Sequence, residues 1–441
     1  MIENVEHSSE TERRSDPPQT ATVTSVKGAA NFLLDLLLDV AHRHQPEIEE
    51  VLRGVATPND FSPTLMGRAL QAQGIWFQLL SIAEQAAAMH RRRQIESTRG
   101  RDRLRGTFDY VLSEAARSGV TPEAIQSRLA SLRIRPVITA HPTEAKRVTV
   151  LEKHRKIYLL LRELDSPRWT ARERSNLVEA LRDQIELLWT TGELRLEKST
   201  LEQEVAWGLH FFEETLFDVV PEMLSSFERA LRQYYPEARF EVTPFLQFGS
   251  WIGGDHDGNP FVTNAVTRNA LRDHALAGVH YYRRQLTELA RGLSISERNQ
   301  PIPDDFRNEL ASALESSGDS AAISARNPGE PYRQYLTCIL RKLGESAASI
   351  EGRDNARPRY TNADELIVEL RILEKALLDS KCSSLAVNFV RPVRWAVETF
   401  RFGTARLDLR ENTTRTTQAL QALWRAKVQG GGDPPDSTSR E

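Results

Sequence analysis

The feature that most constrains this chain is the period of its apolar residues. They recur at threes and fours over 27–53, 64–94, 170–194, 201–234, 264–293, 331–349 and 363–379, the spacing that lines one face of an α-helix. Three short runs break that rhythm: Ile134 to Thr139, Phe245 to Phe248 and Ala405 to Leu409. Each passes at once into polar or glycine-rich residues and then into another helical stretch. A strand that ends in a polar loop and turns into a helix is the unit of an α/β barrel or a doubly wound sheet. In both, chemistry gathers at the carboxyl ends of the strands. The expected fold is mostly α with a few parallel strands. Two helix starts are written locally. Thr121-Pro122-Glu123 joins an N-cap threonine to a proline at the first helical position, and Thr170 is placed to cap the next long helix. Trp207, Phe211, Phe212 and Phe217 sit at helical spacing and are expected in a core.

Residues 1–26 are expected to form a disordered tail, since Glu3, Glu6, Glu10, Glu12, Arg13, Arg14 and Asp16 leave no apolar stretch for a signal peptide. The most apolar run, Phe32 to Val40, is too short for a bilayer and is broken by Asp35 and Asp39, four apart like the wet stripe of an amphipathic helix. A last helix, Thr413 to Lys427, runs into Gly430-Gly431-Gly432-Asp433-Pro434-Pro435, so 428–441 is expected to be a second disordered tail. Residues 27–427 form the folded region between the two tails. A formal net charge of −3 offers no general attraction to nucleic acid or to acidic membranes. The arginine-dense segment Arg91 to Arg105 lacks interleaved aromatics and reads as a solvated connection. Cys338 and Cys382 match no metal spacing and read as thiols of a reducing compartment. The chain is therefore expected in the cytoplasm, with neither nucleic acid nor membrane as a partner.

Three motifs carry chemistry, each at the end of an expected strand. In Val137-Ile138-Thr139-Ala140-His141-Pro142-Thr143-Glu144-Ala145-Lys146-Arg147, a histidine held by proline stands beside two cations. Imidazole moves protons near neutral pH, so His141 can serve as acid or base beside an anion site that includes Arg147. A histidine that merely caps a helix or bonds within a loop fits the same letters. The second motif is Gly249-Ser250-Trp251-Ile252-Gly253-Gly254-Asp255-His256-Asp257-Gly258-Asn259-Pro260. Its glycines suggest unusual backbone angles near a ligand, or a rigid turn tied by carboxylate-to-backbone bonds. It is no calcium loop, because Pro260 and Val266 stand where glycine and a bidentate glutamate are needed. Consecutive Asp255, His256 and Asp257 diverge along an extended chain and do not suit a transition metal. In the third, Ala405 to Asn412, Arg406, Asp408 and Arg410 share one strand face. Arg410 suits a phosphate or carboxylate through its planar fork, and a structural Arg–Asp pair is the other reading.

Together these motifs resemble the phosphoenolpyruvate carboxylase family. The His141 segment is similar to its T-A-H-P-T-E signature, Gly249 to Thr263 to its G-S-W-x-G-G-D-R-D-G-N-P-x-V-T loop, and Leu407 to Thr414 to its D-I-R-Q-E-S region. Ala206-Trp207-Gly208 with Glu214 to Leu224, and Glu330-Pro331-Tyr332-Arg333, resemble further family segments. Order and spacing agree from about residue 27 to Trp424. The resemblance implies a partial α/β (TIM-like) barrel and a reaction of phosphoenolpyruvate with bicarbonate that gives oxaloacetate and phosphate, feeding the tricarboxylic acid cycle. It implies His141 as the base and Arg410 on the phosphate. Trp251 would line the carbon dioxide pocket, within a substrate loop that includes Gly253, Gly254 and Asp255. It implies Mg²⁺ or Mn²⁺, and tetramers for the intact family chain. Two departures stand out: His256 replaces the usual arginine, and Asn412 and Thr413 depart from the lettering after Arg410. The family chain is about twice as long, and its later half supplies the metal ligands, the catalytic lysine and a glycine-rich phosphate loop. None of those segments is found here. Three readings follow: a subunit acting with a second polypeptide, a non-catalytic binding module, or a truncated remnant.

Overall fold

A computed structural model describes residues 24–55, 61–139, 147–191, 200–257, 259–353 and 357–427. Its helices and strands are, in chain order, α1 (Val26–His44), α2 (Pro46–Leu52), α3 (Pro63–Arg99), α4 (Phe108–Arg117), α5 (Pro122–Ser131), β1 (Val137–Ile138), α6 (Val148–Leu164), α7 (Ala171–Thr190), α8 (Leu201–Phe211) and α9 (Phe217–Tyr234). There follow β2 (Gly249–Ser250), α10 (Asn264–Gly292), α11 (Asp304–Ser316), α12 (Ser320–Arg326), α13 (Pro331–Ile350), α14 (Ala363–Asp379), a single turn α15 (Ser383–Leu385), α16 (Arg391–Phe400), β3 (Arg406–Leu407) and α17 (Thr413–Lys427). The described residues divide into two compact units, one drawn from Met1–Arg105 and Thr143–Lys198, the other from Gly106–Pro142 and Ser199–Glu441.

Among the described residues, the elements of the first unit are all helices. Leu33, Leu37 and Val40 of α1, Leu79 and Ala83 of α3, Ile157 and Leu161 of α6, and Leu181 and Ile185 of α7 close one buried cluster. Asp35 and Asp39 lie on the exposed face of α1, which is what lets that apolar run be a soluble helix. The α7 start is a capping box. The Glu173 amide donates to Thr170 Oγ1 at 3.3 Å, and the Thr170 amide donates to Glu173 Oε2 at 2.9 Å.

The second unit holds the sheet, a mostly helical fold with three parallel strands in the order β1-β2-β3. Val137, Gly249 and Arg406 are in register, as are Ile138, Ser250 and Leu407. The middle ladder falls just after the expected Phe245–Phe248 run, which contributes only an isolated bridge between Leu246 and Ile134. Packing explains the offset. Phe245 and Phe248 turn into the core, and close strand approach waits for Gly249, where a Cβ would stand 3.1 Å from a Val137 methyl. Phe248 meets Phe212 at 5.4 Å and Phe400 at 5.7 Å between ring centroids, and Phe400 meets Phe217 at 4.9 Å.

Not all four aromatic residues expected in the core lie there. Phe212 and Phe217 are fully buried, but Phe211 is 43% exposed, and Trp207 is half-buried, stacked on His210. A π-helical turn at Phe212–Leu216 adds one residue to the helical turn. It brings positions five apart to the same inner face and turns Phe211 outward. Cys338 is buried and Cys382 half-buried, both as free thiols. Among the described residues no helix is long and apolar enough to cross a membrane.

α16 delivers β3 and is fixed by a buried ion network. Glu374 of α14 accepts from Arg391 Nε at 2.6 Å and from Arg394 Nε at 2.7 Å, and Arg394 also reaches Glu398 at 2.7 Å. Burial works against the Arg394 charge, yet Glu398 and Glu374 hold its pKa above the usual arginine value. The turn that follows puts two non-glycine residues at positive φ, Arg401 at 54° and Thr404 at 57°. Tertiary bonds hold both. Arg401 forks onto Asp364 at 2.7 and 2.5 Å, and Thr404 Oγ1 donates to the His274 carbonyl at 2.6 Å. His274 itself is buried with Nδ1 unbonded, and desolvation lowers its pKa to about 4.

Candidate functional site

β2 and β3 end side by side, and the loops leaving them stay bonded. The Arg410 amide donates to the Gly254 carbonyl at 2.9 Å, and the Arg410 carbonyl accepts from the His256 amide at 2.9 Å. That backbone pairing sets Arg410 against the Gly249–Asp257 turn. Its guanidinium lies 4.2 Å from the centre of the Trp251 ring, and Nη1 donates to Asp255 Oδ2 at 3.2 Å. The Asp255 side chain is only 6% exposed and the Arg410 side chain 39%. A buried carboxylate and an indole face thus orient the guanidinium, whose side chain stays partly exposed.

The glycines of this turn serve geometry. Gly253 has φ 82°, and a Cβ there would stand 2.6 Å from that of Ala270. At Gly254 a Cβ would stand 2.6 Å from the Asp408 carbonyl oxygen, so only glycine lets the β2 loop lie against the β3 backbone. Ser250 Oγ accepts from the Ile252 amide at 3.1 Å and tightens the turn from within.

One relay in this turn was not legible in the letters. Thr267 Oγ1, in the first turn of α10, donates to the Gly253 carbonyl at 2.8 Å. His256 Nε2 lies 3.1 Å from the same hydroxyl. The hydroxyl has one proton and spends it on Gly253, so Nε2–H is the donor of the second bond. His256 Nδ1 then faces Glu411 Oε2 at 3.6 Å, an ion pair when the ring is protonated. Thr267 looks in sequence like any polar residue at the start of a helix, and Thr263, four residues earlier, supplies the actual cap by accepting from the Val266 amide.

The expected site residues divide. Trp251, Gly253, Gly254, Asp255 and Arg410 come together in the second unit. Arg147 is an exposed residue just before α6, in the first unit, and its side chain makes no cap there. His141 lies outside the described residues, as do Ala140 and the segment from Pro142 to Lys146. Among the described residues, no three His, Cys, Asp or Glu side chains stand together in a way that would hold a metal ion. A cavity of about 1050 Å³ elsewhere in the second unit is lined by Arg283, Arg326, Arg333, Arg341, Lys342 and Arg357 among others. Most of that charge is already balanced, Arg333 by Glu330, Arg341 by Asp319, Lys342 by Glu369 and Arg357 by Glu345.

A mostly helical fold in which three short parallel strands carry an oriented arginine at their carboxyl ends is the class of protein the described residues define. The comparisons narrow this to one family. The chain belongs to the phosphoenolpyruvate carboxylase family, whose model matches residues 36–431. A protein of Methylorubrum extorquens named phosphoenolpyruvate carboxylase is 59% identical over 418 residues, covering 95% of this chain but 45% of its own length. Proteins of the same name from Roseiflexus castenholzii and Bradyrhizobium diazoefficiens are 34% and 31% identical, covering 80% and 87% of this chain and 38% and 40% of their own. The chain thus spans less than half the length of these relatives.

Proposed function

We propose that this chain supplies the phosphate-facing half of a phosphoenolpyruvate carboxylase and is active with the polypeptide equivalent to the remainder of its relatives. The carrying observation is the Arg410 guanidinium, oriented by Asp255 and Trp251 at the carboxyl end of the sheet, within a motif of the matched family. In this reading Arg410 binds the phosphoryl group of phosphoenolpyruvate bidentately. Bicarbonate attacks phosphorus, the bond to the enol oxygen breaks, and carboxyphosphate and pyruvate enolate result. Carboxyphosphate then gives carbon dioxide and phosphate, with His141 taking the proton, and the enolate C3 attacks the carbon dioxide to form oxaloacetate. Trp251 lines the carbon dioxide pocket, and Gly253 and Gly254 hold the loop that keeps water from protonating the enolate. Mg²⁺ or Mn²⁺ supplies charge stabilisation when bound, through ligands from the remaining half. The assembly works as a homo-oligomer in the cytoplasm.

The test is an assay of oxaloacetate formation with phosphoenolpyruvate, bicarbonate and Mg²⁺, on the chain joined to the remaining half of the Methylorubrum extorquens relative. Turnover is expected there, with Arg410→Gln lowering kcat/KM at least ~100-fold through loss of a charge-assisted contact. An Arg410→Gln protein as active as its parent would refute the assignment.

A further inference from the structure

The ring of His256 has a favourable partner for both of its nitrogens only when it carries two protons. Nε2–H donates to Thr267 Oγ1 on α10, because the proton of that hydroxyl goes to the Gly253 carbonyl at 2.8 Å. Nδ1 lies 3.6 Å from Glu411 Oε2. With a single proton on the ring, held at Nε2, the Nδ1 lone pair faces a carboxylate oxygen. With two, an imidazolium pairs with that carboxylate, across side chains 14% and 29% exposed. Glu411 is itself fixed, since its other oxygen accepts from the Asn412 amide at 2.9 Å and faces Arg415 of α17 at 3.7 Å. Of the other charged groups around the ring, Asp255 is turned to Arg410, and Asp257 and, on α10, Arg268 are exposed.

What this pair clamps is the peptide that carries Arg410. The Arg410 carbonyl accepts from the His256 amide at 2.9 Å and from the Asp257 amide at 3.2 Å, and Glu411 is the next residue along. The β2 loop and the exit of β3 are thus joined twice, by backbone at 256 and 410 and by side chains at 256 and 411. Both side chains depart from the family lettering. His256 stands where that lettering has arginine, and Glu411 where the Q of D-I-R-Q-E-S falls. The two departures meet in space, and a permanent charge has become one that comes and goes near neutral pH. We propose that His256 is a positioning residue for Arg410, its second proton tightening the hold of the β2 loop on the arginine. This rests on the reading of Arg410 as the phosphate-binding group and makes that group best held on the acid side of neutrality.

Amide hydrogen exchange of the whole chain, corrected for the intrinsic effect of pH, reads the clamp without any ligand. Protection at the His256 and Asp257 amides should fall about 3–5-fold between pH 6 and 8.5, the size of one partly screened ion pair. His256→Arg should hold protection level across that range, and Glu411→Gln should remove at least half of the fall. Should His256→Arg melt early, Glu411→Gln carries the test by itself. Equal protection at both pH values in the parent would overturn the clamp, as would a fall that survives in either variant. Turnover is read separately, as the ratio of kcat/KM for His256→Arg to that of the parent, in the chain joined to the remaining half of the Methylorubrum extorquens relative. The ratio cancels the ionisation of phosphoenolpyruvate itself and should rise at least ~3-fold from pH 6 to 8.5. A flat ratio in an active joined protein overturns the positioning role and spares the function. A joined parent without turnover counts against the function alone, and the clamp then stands or falls on exchange.

Discussion

The segment that leads into β3 and the segment that leaves it differ in nearly every contact they make. On the way in, α16 buries Val393, Trp395, Ala396, Val397, Thr399 and Phe400 and is tied to α14 through Glu374. Two strained residues follow, each held by a side-chain bond to another helix or from it. On the way out, Leu409 is exposed and α17 buries nothing. One strand thus has a fixed end and an open one. The fixed end carries the stability of the region, and the open end, past the bonds that tie Arg410 to Gly254 and His256, carries little of it.

That contrast is most sharply tested at Glu374. Glu374→Ala leaves two arginines, with side chains 16% and 12% exposed, short of a carboxylate. It should cost about 3–5 kcal/mol, read from the urea midpoint. Next comes His274, neutral in the fold with a pKa of about 4 and near ~6.5 when unfolded. As pH falls through that window the unfolded chain takes up a proton that the folded chain refuses. Stability should therefore drop by up to about 3 kcal/mol between pH 6.5 and 4. His274→Leu should flatten that slope, and an unchanged slope would remove His274 from the account. Gly254→Ala presses a methyl onto the Asp408 carbonyl and should cost about 1–3 kcal/mol. The smallest effect belongs to the open end. Leu423→Asp should change the stability of the chain alone by no more than about 0.5 kcal/mol. A loss of 2 kcal/mol or more there would show α17 packed in solution and end the comparison.

The helical order was largely legible because it rests on periodicity. The window 363–379 matches α14 at both ends, and 331–349 falls one residue short of α13. α6 was missed although Val150, Ile157, Leu160, Leu161 and Leu164 sit at helical spacing, because basic residues between them dilute the pattern. α16 was missed because a ten-residue helix opening on Arg-Pro and rich in β-branched and aromatic residues reads weakly against helix propensity. The π turn at Phe212 was invisible, since inserting one residue leaves composition unchanged and shifts only the facing. At the site, motif letters placed Arg410, Asp255 and Trp251 at strand ends, but no letter pattern says that a guanidinium rests on an indole. The Thr267 relay depends on α10 passing beside the turn, which is tertiary information.

The stacking of Arg410 on Trp251 also makes the site optically self-reporting. An indole's emission responds to a cation held against its face, and any anion that draws the guanidinium away changes that environment. Occupancy of the strand end should therefore register in the fluorescence of Trp251 without a label. The six other tryptophans of the chain supply a constant background, and the Trp251→Phe protein isolates the signal by difference.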